Sequence, residues 1–332
     1  MKQISLTIFL MFSLFAHTQN MFKYEKEVSA QENYIFEEID FQNTDEKIAL
    51  SGTLLKPRTD FEKIIFIVPG SGKDTRYSHF ILAEEFLKNG IAVYRFDERG
   101  IGKSEGKYSE SAQDLSKDLF FAVAQVSNKY KSKKIGVVGH SLGGIAACQL
   151  LKKNSTLDFI ILIETPIIKN GSFLLNQFKM DYENSISQQM RKGKTKDELL
   201  NFFDGYIKII SNSAQHLLKK NVKNYIDQQG FDKRFSMLLN DTFFVEMAQT
   251  NLEETIKNST TKILYLTGTQ DKIINYKEEL RILESFQNPN IEVHIFEELN
   301  HWLTDKKGVT GSSLYQMDHD PLSIIINRVR LH

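Results

Sequence analysis

One stretch near the middle of the chain constrains the rest: Lys134-Ile-Gly-Val-Val-Gly-His-Ser141-Leu-Gly-Gly144. Ile135 to Val138 is a short apolar run of the kind that forms a strand buried on both faces. It runs into Gly139-His-Ser141-Leu-Gly143, a Gly-x-Ser-x-Gly turn, and Gly144 to Leu151 continues as a helix. Strand, sharp turn and helix in that order lift a serine hydroxyl to the edge of a parallel sheet. A serine in such a turn needs neighbours without a Cβ, or strand and helix collide. Ser141 is therefore the candidate nucleophile; the competing reading is a glycine-rich strand–helix turn with no chemistry.

The flanking sequence supplies the sheet. Tyr34 to Phe41 and Ile48 to Leu55 read as a strand pair joined by Gln42 to Glu46. Ile64 to Val68 is a buried strand ended by Pro69-Gly70, Ser78 to Lys88 a helix stopped at Asn89-Gly90, and Ile91 to Phe96 the next strand. Ser111 to Ser127 puts Leu115, Leu119, Ala122, Val123 and Val126 on one helical face. After the nucleophile unit comes the strand Phe159 to Ile163. Alternating strands and helices imply a mostly parallel central sheet with helices on both faces, the α/β class. The rhythm breaks after Pro166: about ninety residues, 168–258, contain no convincing strand. Leu199, Phe203, Tyr206, Ile207 and Ile210 form an apolar stripe there. This reads as a helical cap inserted between strands 6 and 7, with helices that merely extend the core as the other reading. The strands Ile263–Thr267 and Ile291–Phe296, with the helix 276–286 between them, then complete the core, and Asp320-Pro321 opens a closing helix. The expected division is residues 21–167 and 259–332 for the core and 168–258 for the cap.

A serine alone is a poor nucleophile; it needs a base in hydrogen-bond reach and a third group to orient that base. Ligands of open α/β sheets sit at the carboxyl ends of the strands, so the partners should follow strands. Asp271 stands four residues after Thr267 and His301 five after Phe296. Asp271 could instead cap the following helix, and Glu164, at the end of its strand, is the runner-up acid. Among the other histidines, His294 alternates with Glu292 on a strand, His319 lies near the last helix, and His140 faces the other way along the turn and reads as packing. His17, His79, His216 and His332 lie in the leader, an early helix, the cap and the last position. An oxyanion hole needs preorganised N–H donors. Leu142, next to the nucleophile, should supply one, and the loop Pro69-Gly-Ser-Gly-Lys-Asp74 another, with Ser71 first and Gly72 as the alternative.

Other chemistries fit poorly. Lysine and arginine total 42, as do aspartate and glutamate, so no cationic face for nucleic acid is implied. Gly102-Lys-Ser104 resembles the end of a phosphate loop, but Asp97 stands where a glycine is required. Gly70-Ser-Gly72 lacks the third glycine of a dinucleotide fingerprint, because Thr75 occupies it. No histidine, cysteine and carboxylate spacing suggests a metal, and no cofactor is expected. The single cysteine, Cys148, excludes an intrachain disulfide and reads as a buried small hydrophobe. Lys2 followed by the apolar run Ile4 to Ala16 and then polar His17 to Asn20 reads as an export signal over residues 1–20. The mature protein is then expected in the periplasm or outside the cell, with no membrane contact beyond the cleaved signal; an uncleaved anchor is the rival.

Taken together, Pro69-Gly-Ser-Gly72 with Asp74 and Arg76, Phe96-Asp-Glu-Arg-Gly-Ile-Gly-Lys-Ser104, Gly139-His-Ser141-Leu-Gly-Gly144, Gly268-Thr-Gln-Asp271 and Leu299-Asn-His301 resemble the α/β-hydrolase superfamily. The closer likeness is to bacterial serine esterases related to dienelactone hydrolases and bile-acid acyltransferases, and it covers roughly residues 34 to 332. The resemblance implies Ser141 as nucleophile, Asp271 as acid and His301 as base, in the chain order this superfamily uses. It also implies that Asp97 and Arg99 hold their loop together. Two positions depart from it: Pro69 stands where many relatives have histidine or serine, and Leu142 where the closest branch has glutamate.

The expectation is an exported hydrolase acting on a small-molecule acyl ester through an acyl-enzyme. Amides or thioesters on the same triad, or a binding protein that kept the shell, are the alternatives. A general base must be unprotonated, so activity should fall as the pH drops through the ordinary imidazole range of about 6 to 7. A pH–rate profile flat down to about pH 4 would contradict a histidine base.

Overall fold

The computed structural model describes residues 22–152, 157–167, 169–180, 182–185, 188–191, 193–305 and 315–331. The expected export signal lies outside these residues. Among the described residues, no helix is long and apolar enough to cross a membrane.

The strand pair expected at residues 34–55 is divided in two. β1 (Tyr34–Glu38) pairs antiparallel with β4 (Gly52–Pro57), while β2 (Phe41–Asn43) and β3 (Ile48–Leu50) form a separate small sheet. The break falls where the Asp40 carboxylate accepts from the Ser51 hydroxyl at 2.7 Å and the Gly52 N–H at 3.2 Å. The Tyr94 hydroxyl holds the Ile39 carbonyl at 2.7 Å. A polar side chain that satisfies the partner strand's backbone lets the ladder stop there.

The continuous apolar runs become the middle of the main sheet. They are β5 (Lys63–Val68), β6 (Ala92–Phe96), β7 (Lys134–His140), β8 (Phe159–Ile163), β9 (Lys262–Gly268) and β10 (Ile291–Phe296). The order across the sheet is β1-β4-β6-β5-β7-β8-β9-β10, antiparallel at β1/β4 and β4/β6 and parallel from β6 onward. From β5 the chain steps to one side for β6 and then crosses to the other side for β7, so the order reverses between β5 and β7. Loops leaving such a switch point splay apart and open a crevice. The register aligns Val68 with Gly139, His140 with Ile163, and Gly268 with Phe296. The loops carrying Ser71, Ser141, Asp271 and His301 therefore all leave one edge.

Alternate strand residues feed two cores. One face packs Phe66, Val137, Leu162 and Tyr265 against α2 (Ala112–Lys129) and α3 (Leu142–Leu151), after α1 (Phe80–Lys88) has gone to the other side. That other face packs Ile67, Val138, Ile161 and Leu266 against Phe86 of α1 and Ile325 and Val329 of the closing helix, His319–Leu331. Cys148 is fully buried in α3, which pushes its thiol up to about 12 and leaves it unreactive.

Between β8 and β9, the sixth and seventh strands of the main sheet in chain order, the described residues form helices and no strand. These are α4 (Ser172–Met180), α5 (Tyr182–Ser185), α6 (Gln188–Arg191), α7 (Lys196–Asn212), α8 (Leu218–Gln229), a 3₁₀ turn at Lys233–Asn240, α9 (Thr242–Gln249) and α10 (Glu253–Lys257). The helix α7 starts in a capping box between Thr195 and Glu198. Its apolar stripe closes on an aromatic cluster: Phe202 stacks on Phe231 at 4.0 Å and meets Phe235 at 4.8 Å. Each such pair adds about 0.5–1.5 kcal/mol beyond area burial. This cluster is continuous with the core beneath it.

The segment after β6 is held by two buried arginines, in line with what the resemblance implies. Asp97 takes the Arg76 side chain and backbone and the Lys103 N–H. Arg99 grips both oxygens of Asp118 at 2.8 Å and reaches Glu46 at 2.7 Å. Removing one partner of a buried pair strands the other charge. Arg99→Met is accordingly expected to cost about 3–5 kcal/mol, read from the urea midpoint.

Candidate active site

The turn after β7 is strained as the sequence motif requires. Ser141 has φ 51° and ψ −115°, outside the regions an L-residue prefers. Its N–H donates to the Ile163 carbonyl at 2.9 Å, so the turn is anchored on β8. A Cβ on Gly143 would lie 2.3 Å from the carbonyl oxygens of Val68 and Pro69, and one on Gly139 would lie 2.6 Å from Gly143 and Gly144. Only glycines allow α3 to press this closely on β5 and the loop that follows it.

Ser141 and Leu142 open into a cavity of about 210 Å³ whose wall also includes Gly70, Ser71, His301 and Trp302. Both expected oxyanion residues, Ser71 and Leu142, thus share a cavity with the serine. Gly72, the alternative donor, has φ 116° and is not among the residues that line it. The insertion contributes Phe173, Gln177 and Phe243, and the loop after β9 contributes Ile273 and Ile274. A larger hollow of about 630 Å³ lies away from this edge, between α3 and the insertion, and contains none of these residues.

Asp271 is buried behind the cavity. Its Oδ2 lies 2.7 Å from His301 Nδ1, and its Oδ1 accepts from the N–H groups of Ile273 and Ile274 at 2.6 and 2.9 Å. The reading of Asp271 as the cap of the following helix fails, because that helix is capped at Asn275; one Asp271 oxygen instead closes the turn after β9 while the other meets the imidazole. Burial acts to raise its pKa, but His301, a hydrogen bond from Glu164 and the Ile274 N–H outweigh burial and hold it below the usual carboxylate range. Glu164, the runner-up acid, is fully buried next to Asp271. An oxygen of each carboxyl group and a nitrogen of His301 lie within 4.8 Å of one another, the one grouping among the described residues that could hold a metal ion.

The rival histidines are elsewhere. His294 pairs with Glu292 at 2.7 Å on β10, and His319 is exposed at the start of the closing helix. His140 is more than packing. It lines the cavity, and its Nε2 donates to the His301 carbonyl at 2.8 Å. Its Nδ1 faces Nε2 of buried His79 at 3.3 Å, and His79 Nδ1 faces the Ser78 hydroxyl at 3.3 Å. Because the carbonyl can only accept, the direction is set: Ser78 donates to His79, His79 to His140, and His140 to His301. Burial, with His301 nearby, pulls His140 down to about 3; burial, His140 and Arg95 hold His79 well below the usual imidazole range. Both stay neutral, so the His301 backbone is tethered without a cation beside the imidazole.

Tyr315 closes the wall. Its ring lies 4.1 Å from that of His79, and its hydroxyl is 2.8 Å from both oxygens of Asp74, in the loop after β5. Burial pushes Asp74 up to about 7. Trp302, the only tryptophan, was findable as the residue after His301, and it meets the imidazole edge-on at 5.4 Å. No local pattern marks Phe173, Phe243 or Tyr315 as neighbours of Ser141.

Comparison with known proteins bears on the family and the fold. Residues 59–307 match the family described as Serine aminopeptidase, S33. A protein phosphatase methylesterase 1 from Candida albicans is 31% identical over 105 residues, 32% of this chain and 28% of its own length. The chain spans less than half the length of the curated relatives it matches. Among solved structures, the esterase Pf2001 of Pyrococcus furiosus superposes with a TM-score of 0.57 at 19% identity, covering 90% of this chain and 93% of that one. A carboxyl esterase from Bacillus coagulans gives 0.56 at 16% identity, covering 89% and 98%. At such identity the likeness concerns the fold. The family match, across most of the chain, shows that this protein is a member of the serine aminopeptidase S33 family of α/β hydrolases.

Proposed function

We propose that this protein is a serine hydrolase that cleaves small, neutral carboxylic esters through an acyl-enzyme on Ser141. The observation that carries the reading is that Ser141 and His301 line one cavity while Asp271 engages the far nitrogen of the imidazole at 2.7 Å. An ionised Asp271 accepting at Nδ1 puts the imidazole proton there and leaves Nε2 with a lone pair. Nε2 then takes the Ser141 proton as Oγ attacks the acyl carbon, and the charge on the carbonyl oxygen is met by N–H groups of Leu142 and Ser71. The alcohol leaves with the proton from His301. Water, deprotonated by the same nitrogen, releases the acid and restores the serine.

The family's description raises a second reading, cleavage of an amino-terminal amide. An aminopeptidase must hold an α-ammonium, and an unpaired cation in a closed pocket is costly. Among the described residues the cavity wall has no aspartate or glutamate; Phe173, Phe243, Ile273, Ile274 and Trp302 make it largely apolar. That wall suits an uncharged acyl group. At about 210 Å³ the cavity is also smaller than the ~300–1,000 Å³ typical of drug-sized ligands, which favours a short acyl chain. In this reading the helical insertion is a cap that shapes the pocket, and residues 1–20 direct export, which cell fractionation and N-terminal sequencing of the mature protein test.

A fluorophosphonate probe should label the protein at Ser141. Ser141→Ala should abolish labelling and lower esterase turnover by roughly 10⁵–10⁶-fold. Short-chain p-nitrophenyl esters should be cleaved with higher kcat/KM than aminoacyl anilides, and rates should fall as the acyl chain lengthens; the reverse order would favour the amide reading. Since Trp302 is the only tryptophan and lines the cavity, acylation by a slow ester should shift its emission, and an unchanged spectrum would remove the acyl group from that wall.

A further inference from the structure

The mechanism above leaves Glu164 unused, although it is fully buried beside the acid. It follows β8 with φ 43°, a left-handed conformation that glutamate seldom adopts. Its N–H donates to the Leu266 carbonyl at 2.9 Å, its Oε2 accepts from the Thr267 hydroxyl at 2.8 Å, and its Oε1 accepts from the Gly268 N–H. All three contacts come from the end of β9, the strand whose loop carries Asp271. An oxygen of the Glu164 carboxyl group lies within 4.8 Å of one of Asp271, and a hydrogen bond between the two acids acts to raise Glu164 and lower Asp271.

Two carboxyl groups can share a hydrogen bond only if one of them carries a proton, since ionised carboxylates only accept. The surroundings decide which. Asp271 faces the His301 imidazole and two backbone N–H groups, a set that stabilises the anion. Glu164 has only a hydroxyl and one N–H, deeper in the sheet. Burial first, and the Asp271 charge second, push Glu164 well above the usual carboxylate range. Paired acids with environments that drive them apart take different protonation states.

We propose that Glu164 holds the proton of this pair and donates it in a hydrogen bond to Asp271, acting as a positioning residue that fixes the carboxylate against His301. The inference rests on the reading of Ser141, His301 and Asp271 as the triad. The titratable groups facing Glu164 are Asp271 and His301 from the loops after β9 and β10, and Tyr265 on β9, whose hydroxyl donates to the Thr165 carbonyl at 3.0 Å. Glu164 holding the proposed proton would lose it only as the pH climbs. The support it gives Asp271 is therefore present at neutral pH and lost toward alkaline pH.

The test compares Glu164→Leu with Glu164→Gln on a short-chain p-nitrophenyl ester. Leucine removes the donor at similar volume; kcat should fall about tenfold to a hundredfold, the scale on which groups that orient a functional side chain matter, with KM little changed. Glutamine offers an N–H to Asp271 and a carbonyl to Gly268, so it should restore most of the lost kcat. The parent's alkaline decline in kcat should be absent in the glutamine variant, because an amide does not ionise. The proposal is overturned if glutamine is as damaging as leucine while both variants keep the parent's melting temperature, or if the alkaline decline is unchanged in Glu164→Gln. Should Glu164→Leu fail to fold, the pH profile of Glu164→Gln decides. Failure of the underlying triad would show separately, as activity retained in Ser141→Ala.

Discussion

At Ser141 the backbone turns through a conformation that costs of order 1–3 kcal/mol, and the turn brings Gly143 so close to the carbonyls of Val68 and Pro69 that a Cβ there would collide with them. This contact joins β5, the loop after it and the helix after the serine. It brings Ser141, the first turn of α3 and the loop carrying Gly70 and Ser71 into one corner of the sheet. Because β5 and β7 are hydrogen-bonded neighbours at the point where strand order reverses, the loops diverge just beyond that corner. The cavity occupies the gap. The strain at Ser141 is thus offset by the packing of a complete helix on a complete sheet, with no local compensation needed.

The other half of the site depends on how burial treats charge. His79 and His140 are enclosed and neutral, and they form a directed row of hydrogen bonds that ends on the His301 carbonyl. A cation at His140 would disfavour protonation of the nearby imidazole, the step a general base must take. On the opposite side of His301, the acids Asp271 and Glu164 are both buried but have different partners, Asp271 meeting the imidazole and Glu164 meeting Thr267 and Gly268. The same low-dielectric setting therefore keeps two bases neutral and separates two acids.

The insertion between β8 and β9 joins the cavity wall to the core. Its aromatic cluster is continuous with the main core, so the residues it lends to the cavity, Phe173 and Phe243 among them, sit on a supported surface. Arg99 and Asp118 perform a similar service for the segment after β6. They are buried and paired, and they lie outside the cavity wall.

How much of this was legible beforehand follows from the range of the interactions. The glycines around Ser141, the apolar runs of β5 to β9 and the stripe on α7 reflect local sterics and periodicity, and such patterns are written in consecutive residues. The positions of Asp271 and His301 were readable because each follows a strand whose end must reach the same edge. The split of the first strand pair was not, since it is set by Asp40 and Tyr94 acting across the chain. Nor was the role of His140, which depends on His79, 61 residues away, and on a carbonyl 161 residues away. Sequence alone marked Ser141, Asp271 and His301 as candidates at one edge of the sheet and determined the sheet that carries them. Only the tertiary structure decided the shape of the cavity, the enclosure of Glu164 beside Asp271 and the row of neutral histidines, because burial and long-range contact set pKa values and pocket walls and neither has a local period.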